Sequence, residues 1–305
     1  MNKLKIFIFK IIFSLILFSG SSYAKNIPPG SGIGDVPANI LILLDKSGSM
    51  SVRMTSGSGF MYPYSAAADS SGDVYVGSYW TYGIKKLTYA TGAVDTSFAS
   101  SGTYTGSGNC RSYYPMNIKI HNGYMYVASY YQHRVFRVNL STGACDCNHY
   151  IRYARNIAIG NNILYATGYY GNAVVRNLST SSNISCSWSG NLKSYTDYGS
   201  MAVDASGNNL YGFEFRYIYR FPINQSNKCP STGYASRIRT NANYVFGADT
   251  HPSDDKILYI NNYYSHRVEK ITLNNSLNGI QSTSTAGRCC TGKSSSSNIR
   301  MYYPW

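Results

Sequence analysis

Negative charge is scarce in this chain of 305 residues: 13 aspartates and glutamates stand against 27 lysines and arginines, and the net charge is +14. Only two of the acids are glutamates, Glu214 and Glu269, and there are five histidines. Neither type clusters along the sequence, and no Gly-x-Ser-x-Gly segment marks a nucleophile. The sequence therefore offers no constellation for metal-assisted or nucleophilic catalysis. Long helix-forming stretches are also absent, and so are long apolar runs after the first 24 residues, which excludes a further membrane-spanning helix. The basic residues are scattered rather than clustered, the pattern of a solvated basic surface and not of a nucleic-acid interface.

The one long apolar segment, Ile6 to Phe18, is preceded and interrupted by Lys3, Lys5 and Lys10 and followed by Ser-Gly-Ser-Ser-Tyr-Ala24. A basic start, a short apolar core and a small residue at the cleavage position describe an export signal over residues 1–24. The mature chain is expected outside the cytoplasm, extracellular or at the cell surface, with the periplasm as the alternative. Seven cysteines at 110, 145, 147, 186, 229, 289 and 290 then point to disulfides between neighbouring loops, with one cysteine left over or paired with another chain. Neither Cys145-Asp-Cys147 nor Cys289-Cys290 has the spacing of a zinc site.

What is abundant is tyrosine, 31 against 11 phenylalanines, together with Gly, Ser and Asn. That balance favours strands and tight turns. The order within it is an internal repeat. Asp73-Val-Tyr75-Val-Gly-Ser-Tyr79, Tyr124-Met-Tyr126-Val-Ala-Ser-Tyr130, Ile163-Leu-Tyr165-Ala-Thr-Gly-Tyr169, Asn209-Leu-Tyr211-Gly-Phe-Glu-Phe215 and Ile257-Leu-Tyr259-Ile-Asn-Asn-Tyr263 are five copies of one strand. Their central tyrosines recur about 46 residues apart, the period of one propeller blade. A small apolar strand precedes each: Ser65 to Ala68, Asn117 to Ile120, Asn156 to Ile159, Met201 to Val203, Val245 to Ala248. The turn between is rich in Asp, Asn and Gly, which tolerate positive φ and cap their own backbone. A third strand follows at Arg134–Val138, Val174–Arg176, Ile218–Phe221 and Arg267–Ile271, and the remaining Ser/Thr/Gly-rich segment has room for a fourth. The expectation is an all-β chain, a β-propeller of five recognisable four-stranded blades over residues 60–305, complete in itself or the front part of a larger ring. In that alternative of a complete ring, Ile40 to Leu44 is the strand that closes it.

At Tyr130-Tyr-Gln-His133-Arg134-Val135 and Tyr263-Tyr-Ser-His266-Arg267-Val268 the repeat resembles NHL repeats. The resemblance covers about residues 60–290 and implies a radial stack of blades whose innermost strands line a channel. It also implies that His133 and His266 tie one blade to the next by hydrogen bonds, in preference to holding a metal. Asp69, Asp204 and Asp249 end the first strand in three copies; they either cap turn amides or ring the channel mouth as cation ligands. Enzymes on related propellers need several His and Glu converging on a channel metal, a set this chain lacks.

Upstream, Ile40 to Leu44 reads as a buried strand that ends in Asp45-Lys-Ser47-Gly-Ser49. One carboxylate and two hydroxyls on alternate residues present hard oxygens suited to Mg²⁺ or Mn²⁺. The stretch resembles the first strand and metal-ion-dependent adhesion site of von Willebrand factor A domains, with Asp45, Ser47 and Ser49 as the metal ligands; an ordinary turn is the alternative. The Ser/Gly-rich segment to Gly59 replaces the helix of that family, so residues 25–59 are expected to be a strand and linker. The final residues, Arg300-Met-Tyr-Tyr-Pro304-Trp305, echo the blade lead-ins Arg111 to Met116 and Met61 to Tyr64 and announce a further blade. Together these features predict an exported, non-enzymatic binding or adhesion protein. Its partner would be a protein or polysaccharide at a cell surface or in an extracellular assembly. A secreted propeller lyase or lactonase and a structural component are the alternatives.

Overall fold

The computed structural model describes residues 63–78, 82–187, 200–242, 245, 247–262 and 267–288. Their strands form five separate four-stranded sheets, each an antiparallel meander in chain order. Blade 1 is β1 (Pro63–Ala68), β2 (Val74–Ser78), β3 (Ile84–Leu87) and β4 (Thr103–Tyr104). Blade 2 is β5 (Pro115–His121), β6 (Tyr124–Ser129), β7 (Arg134–Asn139) and β8 (Cys145–Tyr150). Blade 3 is β9 (Ala154–Gly160), β10 (Ile163–Gly168), β11 (Ala173–Asn177) and β12 (Ser182–Ile184). Blade 4 is β13 (Ser200–Val203), β14 (Asn209–Glu214), β15 (Tyr217–Pro222) and β16 (Ser236–Arg239). Blade 5 is β17 (Ala248–Thr250), β18 (Ile257–Asn262), β19 (Arg267–Leu273) and β20 (Ile280–Arg288). The innermost strands pack in succession, β1 on β5, β5 on β9, β9 on β13 and β13 on β17, which makes the arrangement a five-bladed β-propeller. Among the described residues the one helical element is a 3-10 turn, Gly108–Cys110.

Strand alternation explains why a blade needs its neighbours. In β14, Leu210 points into a core shared with Ala158, Tyr165 and Val175 of blade 3. The next residue, Tyr211, points the other way, into a core with Leu258, Ile260 and Ile271 of blade 5. Every blade thus places one face in each of two cores, and neither face is covered by its own sheet. The repeated tyrosine is the residue that faces forward. Tyr75 packs on Ile118, Met125 and Val127 of blade 2, and Tyr126 on Ile157 and Leu164 of blade 3. All five are at most 3% exposed, and burying a side chain of that size stabilises by roughly 1.5–3 kcal/mol. Burial also pushes the phenols of Tyr75, Tyr165 and Tyr211 well above the usual tyrosine range. At the seam of the ring the pattern changes. Tyr259 and Val268 of blade 5 form one small cluster, and Val76 and Leu87 of blade 1 another. A polar link also joins blade 2 to blade 5: Lys119 Nζ of β5 donates to Asp249 Oδ2 of β17 at 2.8 Å.

The turn chemistry is as the sequence predicts. Asn122 and Gly123 (φ 48° and 75°) close β5–β6, and Asn161 and Asn162 (50° and 58°) close β9–β10, both as two-residue turns with positive φ throughout. Asp204 caps its own turn, accepting from the amides of Asn208 at 2.8 Å and Asn209 at 3.0 Å. Asp69 accepts from Ser71 N at 2.9 Å and Asp73 N at 3.1 Å, and Asp249 from Thr250 N at 3.0 Å. Asp69 and Asp204 therefore cap their turns, whereas Asp249 lies within β17 and pairs with Lys119; among the described residues no group of three or more His, Cys, Asp or Glu side chains is placed to hold a metal.

Two strand boundaries depart from expectation. The first strand of blade 5 starts at Ala248 and not Val245, because the Val245 amide donates to Phe215 O of blade 4 at 2.9 Å while its side chain enters the core. The tyrosine strands end one residue early, at Ser129, Gly168 and Glu214, so Tyr130, Tyr169 and Phe215 fall in the following turns. Of the seven cysteines, Cys110 bonds Cys145 and Cys186 bonds Cys229; the latter joins the end of blade 3 to an outer loop of blade 4. The segment Asp45, Ser47 and Ser49, the strand from Ile40, His266, Cys289, Cys290 and the final Arg300–Trp305 lie outside the described residues.

Candidate ligand-recognition face

A meander has two ends, and the chain fills them differently. One end carries the β1–β2 and β3–β4 types of connection; the other carries the β2–β3 type and the passages from one blade to the next. At the second end the described connections (105–114, 130–133, 151–153, 169–172, 185–187, 215–216, 240–242) contain no aspartate or glutamate. They contain Arg111, Arg152, Arg216, His133 and a run of tyrosines.

Those tyrosines touch in sequence across three blades. Tyr82 stacks on Tyr113 at 4.5 Å between centroids, 9° from parallel, and leans on Tyr114 at 5.0 Å. Tyr114 meets Tyr131 edge-on at 4.5 Å, and Tyr131 meets Tyr130 at 5.1 Å. Tyr130 contacts Tyr153 at 4.9 Å, which contacts Tyr170 at 5.3 Å, itself edge-on to Tyr169 at 5.1 Å. Edge-to-face pairs of this kind are each worth about 0.5–1.5 kcal/mol beyond their buried area. Tyr131 and Tyr170 remain 44% and 49% exposed, so the belt is open to solvent at these two rings, while its other members are half-buried. Guanidinium groups cover it at intervals: Arg111 over Tyr113 at 5.0 Å, Arg152 over Tyr170 at 4.8 Å, and Arg155 over Tyr169 at 5.6 Å. The Tyr130 phenol is pushed up to about 12 by burial, with the Arg155 charge pulling the other way.

Local backbone holds the rings in place. Ser129 Oγ accepts the Tyr113 amide at 2.9 Å and lies 3.0 Å from the Arg111 carbonyl, to which it donates; Ser112 Oγ donates to Tyr82 O at 2.6 Å. His133 does what the repeat implies: its Nδ1 accepts the Tyr153 amide at 2.9 Å and its carbonyl accepts Ile151 N at 2.8 Å, fastening blade 2 to the lead-in of blade 3. An accepting Nδ1 requires neutral imidazole, and burial together with the nearby Arg152 lowers the His133 pKa, which favours that form. The rings come at a conformational cost. Tyr82, Tyr114, His133, Tyr153 and Phe215 all have φ between 48° and 57°, a left-handed conformation that bulky residues seldom adopt.

None of the belt was among the candidate site residues that the sequence suggests. Its signal is present as the paired tyrosines Tyr130-Tyr131 and Tyr169-Tyr170 at matching points of the repeat and Tyr113-Tyr114 in the lead-in to blade 2, but only the ring of blades brings them together.

Neither a protein-family model nor a curated protein matches the sequence. The architecture expected from the NHL-like repeats is present, while the von Willebrand-type strand and its metal motif find no support in these comparisons. Among solved structures, the chain is similar to a selenomethionine-substituted virginiamycin B lyase from Staphylococcus aureus. Identity is 14% and the TM-score 0.50, over 74% of this chain and 70% of that one. A streptogramin B lyase structure gives 12% identity and a TM-score of 0.51, over 75% of this chain and 70% of the other. Hydrazine synthase from Kuenenia stuttgartiensis gives 11% identity and a TM-score of 0.43 over 57% of this chain, which spans about half of that protein, 49%. At these identities the likeness to the two lyases establishes the propeller fold.

Proposed function

We propose that this protein is an exported, non-enzymatic binding protein that recognises a surface partner through the tyrosine and arginine end of its propeller. The continuous belt from Tyr82 to Tyr170 carries this reading: the exposed rings of Tyr131 and Tyr170, and neighbours held in a left-handed backbone at Tyr82, Tyr114 and Tyr153, contribute little to a core, so their use lies in contact with something else. Two disulfides fit a non-reducing compartment, extracellular or periplasmic. Among the described residues no helix is long and apolar enough to cross a membrane. The test is binding of the purified protein to an array of immobilised glycans and cell-surface proteins, beside a Tyr131→Ala/Tyr170→Ala variant. Equal binding by the two proteins would remove this face from consideration.

The resemblance to streptogramin B lyases favours a second reading, a secreted lyase. Virginiamycin B incubated with the protein and followed by chromatography addresses it; consumption that depends on protein concentration would support an enzyme. The Asp45, Ser47 and Ser49 loop remains a proposal for Mg²⁺ or Mn²⁺ only. Mn²⁺ titration of the protein and of Asp45→Ala decides it, since a metal held there disappears with the carboxylate.

A further inference from the structure

We infer that the ligand of the tyrosine face is an acidic polysaccharide whose sugar rings stack on the tyrosines while its carboxylate or sulfate groups pair with the arginines between them. This inference rests on the reading of that face as the recognition surface and adds the chemistry of the partner. The belt crosses three blades, so it fits an extended polymer better than a compact small molecule. Its exposed members, Tyr131 and Tyr170, are held by edge-on neighbours at 73° and 82°, which fixes each ring and turns successive rings through large angles. Fixed aromatic rings suit the C–H faces of pyranoses, and they lose little side-chain freedom on binding.

The arginines add the charge preference. A guanidinium lying over a ring is packed on its flat face, while its N–H donors point out along the plane, the geometry for bidentate pairing with a carboxylate or sulfate. The guanidinium carbons of Arg111 and Arg152 lie over rings, 5.0 Å from the centre of Tyr113 and 4.8 Å from that of Tyr170. Among the described residues neither has a carboxylate partner, and the described connections of that end carry no acid at all. An anionic ligand therefore meets cations that the protein itself has left uncompensated. Single-stranded nucleic acid also stacks on aromatic rings and pairs with arginine; disulfides and the export signal favour a polymer of the cell exterior instead.

The experiment measures affinity by calorimetry for three probes: polygalacturonate, neutral dextran and a single-stranded oligothymidylate. Expected is salt-sensitive binding of polygalacturonate, stronger than of either other probe and weakened at least about tenfold in Arg111→Ala/Arg152→Ala with circular dichroism unchanged. Lys228→Ala/Lys256→Ala removes two charges from the opposite end and is expected to bind as the wild type does. Equal losses in the two double variants mean attraction by net charge alone and overturn the inference. Preference for oligothymidylate overturns it in favour of nucleic acid. Preference for dextran, lost in Tyr131→Ala/Tyr170→Ala, overturns the acidic ligand while the face survives as the binding surface; tight binding of any probe that neither the tyrosine nor the arginine variant affects overturns both.

Discussion

The two ends of this propeller solve the same problem, reversing a strand, with opposite residues. At one end the inner turns use Asn122-Gly123, Asn161-Asn162 and the Asp204 cap, residues that accept positive φ or hydrogen-bond their own backbone at little cost. In the outer loops of that end Ala99, Ser101, Ser181, Lys228 and Leu277 share the left-handed conformation, and none is aromatic. At the other end the same conformation is occupied by Tyr82, Tyr114, His133, Tyr153 and Phe215. Each costs of order 1–2 kcal/mol relative to glycine, which a fold selected for stability alone would avoid. Both ends join blade to blade: the first through Asn161 Nδ2 to Ser206 O at 2.8 Å and Ser206 N to Asp255 Oδ1 at 2.8 Å, the second through His133 and the Tyr153 amide. On the proposed reading, the Asp/Asn end serves stability and the tyrosine end recognition.

The largest expected loss of stability comes from a bond that ties blade 3 to blade 4, and the next from the first end. Replacing Cys186 and Cys229 by serine opens a closed loop with a sequence separation of 43. Chain entropy puts its worth at about 4 kcal/mol, to be read as a lower urea midpoint for the variant than for the oxidised wild type. Next is Asp204→Ala. This carboxylate is 2% exposed and accepts from Asn208 N, from Asn209 N and, at 2.6 Å, from Asn209 Nδ2. Leaving those donors unmatched is expected to cost about 3 kcal/mol in the same measurement. A loss under about 1 kcal/mol would show that the turn is held by its backbone alone.

How far the sequence discloses each end follows from the range of the interactions. Asp204, Asn122 and Gly123 act on residues within a few positions of themselves, so composition and spacing reveal them. The five tyrosine strands are equally legible, because a period of about 46 residues repeats one buried environment. The belt is not local: Tyr82, Tyr113, Tyr131, Tyr153 and Tyr170 meet only once blades are set side by side. Tyr130, Tyr169 and Phe215 were further disguised, since aromatic residues at the end of an alternating run read as more strand. The disulfide partners were unreadable for the same reason, because sequence spacing does not say which blade edges touch.

Two smaller effects sharpen the division. Lys119→Met removes the tie between blade 2 and Asp249 of blade 5; the two side chains are 15% and 18% exposed. It leaves a half-buried carboxylate without its partner, and the expected cost is about 1–2 kcal/mol, reduced by high salt. On the tyrosine end, His133 has a folded pKa below its unfolded value, so its stabilisation is present above about pH 6.5 and is lost as pH falls from there toward the depressed folded value. Wild type should therefore lose more stability between about pH 7 and pH 5 than His133→Asn, which keeps an acceptor and tolerates the left-handed backbone but does not titrate. Parallel pH curves for the two proteins would mean that the imidazole is protonated without penalty.

The most telling residue is Tyr153, because there contacts and backbone strain oppose each other. Its ring touches Tyr130, Tyr170 and His133, the last at 4.3 Å edge-on, while its backbone sits at φ 52°. Tyr153→Gly deletes those contacts and at the same time relieves the left-handed strain. The three contacts amount to about 1.5–4.5 kcal/mol and the strain to about 1–2, so they partly cancel, and the stability read from the urea midpoint should fall by less than about 3 kcal/mol. Binding should not cancel in the same way, because a glycine supplies no ring and leaves Arg152 without one of the two faces on which it rests, at 5.7 Å. A variant that unfolds with the wild type yet fails to bind would separate recognition from stability at a single residue. One that loses several kcal/mol would instead make the belt part of the framework, and the contrast between the two ends would fall.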